Sequence, residues 1–321
     1  MDIISQVPAA VKWTEKKHNS LAVALALARA GLIERAQRMK QCGRWLTVEK
    51  CPECGKSHIS SASLCRDRLC PTCAWRLNLK RFAEMMACAG LITDMGAFTP
   101  AFLTLTVRNV RADKLRDTLS KMAEDWNRFI NRPKTKEIVT GWARAVEITY
   151  NRERHTFHPH YHIILLQSSD ILWMRGMTPA ECQTYYRSAW QKASRLDYEP
   201  ITDYREIHPK NGDSGLCDSD KLAAAISETF KYATKSRDIE DMSAAELREY
   251  AAAISGIRMT AYGGIIKKAR AKLGYHGDDL SETDTEPHIK CTCGSDMIKM
   301  IAQWSFERGQ YEFLTDLLID L

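Results

Sequence analysis

Phe157-His158-Pro159-His160-Tyr161-His162-Ile163-Ile164-Leu165-Leu166 sets three imidazoles at alternate positions and then runs into an apolar tail. In an extended strand successive side chains point to opposite faces, so the three histidines share one face. A face that carries several imidazoles points to a metal site. The apolar tail predicts a strand buried within a sheet, which would hold the ligands rigid. A buried strand that merely happens to begin with histidines is the bland alternative. With nine histidines in the whole chain and three of them alternating here, it is the weaker one.

Working outward, Trp142 to Tyr150 reads as a second strand containing Arg144, Glu147 and Thr149, and Asn151-Arg152-Glu153-Arg154 reads as the turn between the two. Strand, turn, strand predicts a β-hairpin over 142–166. Phe102-Leu103-Thr104-Leu105-Thr106-Val107 is a further β-branched and apolar strand. Helical spacing of Leu115, Leu119, Met122, Trp126 and Phe129 predicts a helix over 111–131. Other helices are expected over 21–41, over 74–90 with Gly90 as its cap, over 178–196, over 221–235 and from 243 to about 255. Residues 209–220 and 277–287 read as loops. The fold class expected is α+β, and no internal repeat is visible.

The 321 residues allow one large domain or two to three small ones. Hydrophobic residues make up 45% and charged residues 27%, ordinary values for a globular protein. A net charge of +6 is a mild bias toward polyanionic partners. No apolar stretch is long enough to span a bilayer, and Met1 to Ser20 lacks the pattern of an export signal. A cytoplasmic location is the expectation.

Eleven cysteines without an export signal argue for thiols or metal ligands over disulfides. Cys51-Pro-Glu-Cys54 and Cys70-Pro-Thr-Cys73 are two C-x-x-C pairs at the spacing of a four-thiolate zinc site, so Cys51, Cys54, Cys70 and Cys73 are the expected ligands of one structural zinc. Cys65 and His58 are possible substitutes for one of the four. Cys291-Thr-Cys293-Gly is a lone C-x-C pair that cannot complete such a site, and it stays unassigned. Lys56, Arg66, Arg68, Arg76, Lys80 and Arg81 interleave with the cluster or follow it. They suit a nucleic-acid contact, or a solvated surface on a structural knuckle.

Ile226 to Lys235 is the third feature. Glu228 and Tyr232 are four apart and Lys235 follows three later, so on a helix they project from one face. Alone this is an ordinary amphipathic helix. Beside a metal site it gains chemistry: a phenolate can act as a covalent nucleophile, a carboxylate one turn away can accept a proton, and a lysine favours the phenolate or a developing phosphate charge.

The order of these motifs, cysteine cluster, Phe-Leu-Thr-Leu-Thr at 102–106, His-Pro-His-Tyr-His at 158–162 and Glu-x-x-x-Tyr-x-x-Lys at 228–235, resembles the rolling-circle replication initiators of small plasmids, within the HUH endonuclease superfamily. It is most similar to the group that pairs one tyrosine with a glutamate, and the resemblance covers roughly residues 50–240. It implies a central antiparallel sheet flanked by helices, with an N-terminal cysteine-rich zinc-binding segment. It implies Mg2+ or Mn2+ held by His160 and His162, with Glu147 as first choice of third ligand and His158 as the other. Tyr232 would be the nucleophile that forms a 5′-phosphotyrosyl link and frees a 3′-hydroxyl primer. Glu228 would activate water for termination, and Lys235 would help to orient metal or phosphate. The implied partners are plasmid origin DNA, recognised as duplex and cut as a single strand, with a host helicase and DNA polymerase. Arg76, Lys80, Arg81 and Lys231 are the expected DNA contacts, and the basic stretch 257–272 competes with the zinc segment for reading the duplex. The expected organisation is a helical region over 1–45, a zinc segment with its basic helix over 46–95, the nicking and joining domain over 96–240, and an accessory region over 241–321.

Two other readings compete. One is another HUH nuclease, a relaxase or a single-strand transposase; relaxases usually place the tyrosine ahead of the histidines, and here it follows them. The other is a zinc-dependent DNA-binding regulator with no catalytic activity.

Overall fold

The computed structural model describes residues 8–207, 236–275 and 290–314. These fall into two compact units, one taking residues 1–77, 235–244 and 279–321 and the other residues 78–234 and 245–278. The stretch 241–321, expected as one accessory region, is shared between both.

In the first unit, helices α1 (Pro8–Arg29) and α2 (Ile33–Gln41) replace the single helix expected over 21–41. Gly31 lies between them with φ +79°, a left-handed conformation that ends a helix cheaply only at glycine. Strands β1 (Trp45–Lys50) and β2 (Ser57–Ala62) form a hairpin, and β8 (Ile298–Ser305) and β9 (Gln310–Phe313) form another. They combine as one antiparallel sheet in the order β2-β1-β8-β9, with Lys50 opposite Ile298 at one end of the β1–β8 ladder. Trp13, Leu46, Val48, Ala302, Trp304 and Tyr311 are its buried core.

The second unit is built on a five-stranded antiparallel sheet. Its strands are β3 (Phe98–Thr106), β4 (Val139–Asn151), β5 (Thr156–Ser168), β6 (Thr202–Glu206) and β7 (Thr260–Gly263). Their spatial order is β6-β3-β5-β4-β7, so the histidine strand β5 is central. That position explains its apolar tail: Ile163, Ile164, Leu165 and Leu166 are all fully buried, as a strand covered on both faces requires. On one face Tyr161, Ile163 and Leu165 pack with Met122, Trp126 and Phe129 of α4 (Ala112–Ile130) and with Tyr186 and Trp190 of α5 (Pro179–Ser194). On the other, Ile164 and Leu166 pack with Met85, Cys88 and Ile92 of α3 (Pro71–Thr93) and with Ile266 and Ala269 of helix Gly264–Lys272.

The mixed helical and antiparallel-sheet class read from the sequence is therefore the one observed. The hairpin and the helices over 111–131 and 178–196 lie where expected. Helix α5 is set locally by a capping box, in which Thr178 and Glu181 satisfy each other's backbone N–H, followed by Pro179 in the first turn. Helix α3 runs through Gly90, which does not cap it, because Ile92 continues its buried face.

Candidate metal centre

Register puts the donors together. On β4, Glu147 stands directly opposite His160, and on β3, Thr104 stands opposite His162. His160 and His162 are each 8% exposed. Their Nε2 atoms are 3.1 Å apart, and Glu147 Oε2 lies 2.6 Å from His162 Nε2 and 3.3 Å from His160 Nε2. All three ligand atoms lie within 4.8 Å of one another. The far side of each ring is also held: His160 Nδ1 lies 3.1 Å from the carbonyl of His158, and His162 Nδ1 lies 3.4 Å from Thr104 Oγ1. Phe102 stacks on the His162 ring with centroids 5.4 Å apart.

This arrangement tests whether a cation fits. A carbonyl accepts only, so at His160 the proton belongs on Nδ1, and Nε2 then turns a lone pair inward. Lone pairs from two imidazoles and a carboxylate facing one another repel unless a proton or a cation lies among them. The donor set of two imidazoles and one carboxylate, with the outer ring nitrogens tied back, is that of a divalent metal centre. In the metal-free chain, burial alone would raise the Glu147 carboxyl, but hydrogen bonds and charge from His160 and His162 outweigh it and hold it at about 2. Thr104 and Phe102 entered the sequence reading only as part of the 102–106 strand motif; their contacts with the His162 ring follow from strand register.

His158 is on the same face but outside this donor group, half-buried, with its ring centroid 5.3 Å from that of His160. Burial first, and then the neighbouring His160, lowers its pKa. Its backbone carbonyl, rather than its ring, serves the site. Tyr232, Glu228, Lys235 and Lys231 lie outside the described residues. Of the expected DNA contacts, Arg76, Lys80 and Arg81 are all half-buried on α3, with Arg76 lying over the rings of Trp13 and Trp75. In the competing basic stretch, Lys267, Lys268 and Lys272 are exposed, whereas Arg270 turns inward to pair with Glu84 at 2.7 Å.

Residues 56–312 match the family model described as "Replication protein". The chain belongs to this family. Among curated relatives, "Protein rep" of Bacillus amyloliquefaciens is 32% identical over 79% of this chain and 78% of its own length. "Protein rep" of a Bacillus species is 32% identical over 83% and 85%. "Protein rep" of Streptococcus pneumoniae is 28% identical over 93% and 91%. No solved structure matches. The family bears out the resemblance to plasmid replication initiators of the rolling-circle kind. No helix among the described residues is long and apolar enough to cross a membrane.

In this replication protein the cysteines are arranged differently from the sequence expectation. Cys51, Cys54, Cys70 and Cys73 do not form one cluster. Cys70 and Cys73 join Cys42 and Cys65, while Cys51 and Cys54 join Cys291 and Cys293. The physical reason is the sheet: pairing of β1 with β8 carries the C-x-C pair to the turn between β1 and β2 that holds Cys51 and Cys54. Cys291 and Cys293, left unassigned from sequence, thus complete a four-thiol group, and Cys65 is a full member of the other. His58 belongs to neither; its Nε2 lies 3.4 Å from Glu49.

Proposed function

We propose that the protein initiates plasmid replication by nicking one strand of its origin through Tyr232, in a reaction that the His160, His162 and Glu147 centre supports. The observation that carries this reading is the convergence of three donors, His160 and His162 buried and Glu147 partly so, on the central strands of a chain that belongs to the replication-protein family. His160, His162 and Glu147 would hold Mg2+ or Mn2+. When bound, such an ion polarises the non-bridging oxygens of the scissile phosphate and offsets the charge that develops on them.

The chain's own residues do the rest. Tyr232 gives up its phenolic proton and its oxygen attacks phosphorus. The new bond is Tyr232 Oη–P, and the bond that breaks is P–O3′, which leaves a 3′-hydroxyl as primer and a 5′-phosphotyrosyl link. One phosphodiester is exchanged for another, so the step is reversible and rejoining needs no external energy. Lys235, three residues after Tyr232 in the sequence, is proposed to favour the phenolate. At termination Glu228 takes a proton from water, which cuts the regenerated origin without a second covalent link. Arg76, Lys80, Arg81 and Lys231 are proposed to contact phosphates, and a host helicase and polymerase to act on the strand end produced. Zinc is proposed for the cysteine groups, since soft thiolate donors select it.

Tyr232→Phe tests the central assignment. Nicking of a single-stranded origin oligonucleotide should be abolished while origin binding, read by gel shift, survives. Full nicking by this variant would remove Tyr232 from its role.

A further inference from the structure

Eight of the ten described cysteines fall into the two groups of four, and none is disulfide-bonded. In the first group Sγ of Cys42 lies 3.5 Å from those of Cys70 and Cys73, and Cys65 and Cys73 are 3.7 Å apart. In the second, Cys51 and Cys293 are 3.5 Å apart and Cys54 and Cys291 3.3 Å apart. A tetrahedral ion with sulfur ligands at about 2.3 Å spaces those sulfurs by about 3.8 Å, whereas a disulfide holds them at about 2.05 Å. Both groups match the former.

The surroundings differ. Around the first group Cys42, Cys70 and Cys73 are almost fully buried. The backbone N–H of Cys65 points at Cys42 Sγ at 3.5 Å, and Ser20 Oγ lies 3.4 Å from Cys70 Sγ. Lys17 is wholly buried beside it, its ammonium donating to the carbonyls of Lys40 at 2.7 Å and Cys42 at 2.6 Å. Among the described residues no carboxylate pairs with Lys17. A buried ammonium beside four neutral thiols would be uncompensated, but beside four thiolates on a divalent ion, a group of charge −2, it is balanced. The second group is more open, with Cys51 and Cys291 buried but the other two thiols reaching solvent. Cys54 and Cys293 are exposed, and two tight turns shape it, with Gly55 at φ +72° and Gly294 at φ +91°. The N–H of Cys54 points at Cys51 Sγ at 3.5 Å, as in a metal-binding knuckle.

We infer that the chain carries two separate structural zinc ions. A buried one sits on Cys42, Cys65, Cys70 and Cys73. A surface one on Cys51, Cys54, Cys291 and Cys293 clasps the β1–β2 turn to the segment that leads into β8. The surface ion ties residues more than 230 positions apart (Cys54 to Cys291 is 237) and is the labile one. Binding at each site releases thiol protons and involves no oxidation. The inference stands apart from the nicking reaction and does not depend on it.

The test is metal analysis of the purified full chain, as differences between variants, so that any ion at the histidine centre cancels. C291A/C293A should lose one zinc equivalent relative to the unaltered chain, C65A/C73A one, and the fourfold variant two. Should C65A/C73A fail to fold, the kinetics of release to a chromogenic chelator decide. The unaltered chain should release thiolate-bound zinc in two phases, and C291A/C293A should lack only the fast one. Single-phase release, loss of both equivalents in C291A/C293A, no loss there, or iron in place of zinc would overturn the inference.

Discussion

Replacing Glu147 by Gln keeps the size of the side chain and removes the charge that faces both histidines. Its Oε2 is the atom nearest to His162 Nε2, at 2.6 Å, and the site has only three donors among the described residues. Residues that merely orient a ligand cost about 10–100-fold in metal affinity when changed, so a direct donor should cost at least about 100-fold. At Mn2+ set to about 100 times the dissociation constant, binding stabilises the folded state by about 2.7 kcal/mol. With affinity about 100-fold weaker, the same Mn2+ concentration contributes only about 0.4 kcal/mol. At about 2–4 °C per kcal/mol for a unit of this size, the Mn2+-induced rise in Tm should shrink from about 5–11 °C to about 1–2 °C. Thermal melts with and without Mn2+ measure this directly. His158→Ala is the control: it removes the alternative ligand but leaves the backbone carbonyl that holds His160, so its Mn2+ shift should equal that of the unaltered chain. An undiminished shift in Glu147→Gln, or a lost shift in His158→Ala, would refute the reasoning.

Other outcomes follow from the same geometry. Glu228→Ala should still nick but fail to terminate, so that plasmid multimers accumulate on agarose gels; clean monomeric circles would count against its role. The Glu147 carboxyl is depressed from 4.5 to about 2, so in metal-free protein its contribution is present above about 4.5 and disappears as pH falls through about 2. At roughly 1.4 kcal/mol per pKa unit, stability in urea should lose on the order of 3 kcal/mol across that window, a loss that Glu147→Gln should flatten. Arg270→Met strands the buried carboxylate of Glu84, itself 6% exposed. It should cost about 3–5 kcal/mol in urea denaturation, with much of that recovered when Glu84→Leu is added; equal losses in the single and double variants would show that the pair is not coupled.

The strands that carry the histidine centre were far more legible in sequence than the cysteine groups. Alternation at 158, 160 and 162 fixes a face by the two-residue period of a strand, and the short turn at 151–154 fixes the partner strand. Glu147, on that partner strand, was the first choice of third donor once the family resemblance implied a metal there, with His158 as the other; the register of β4 against β5 decides between them. The cysteine groups did not follow from local pattern. Spacing suggested one site from the two C-x-x-C pairs, but those pairs end on different sites because β8, from near the end of the chain, pairs with β1. That pairing is long-range, and β1, β2, β8 and β9 are short strands with little alternation to reveal them. Counting offered a clue: with Cys42, Cys65, Cys291 and Cys293 added, the eight cysteines divide into two complete sets of four. Arg270 was read as part of the basic stretch 257–272. Its inward turn depends on Glu84, which no local pattern links to it.

The most direct measurement is denaturing electrophoresis after incubating the chain with labelled single-stranded origin DNA and Mn2+, followed by peptide mapping of any adduct. The account predicts a covalent protein–DNA species linked through Tyr232, absent from His160→Ala/His162→Ala. Cleavage with no covalent species, or a link through a different residue, would contradict it.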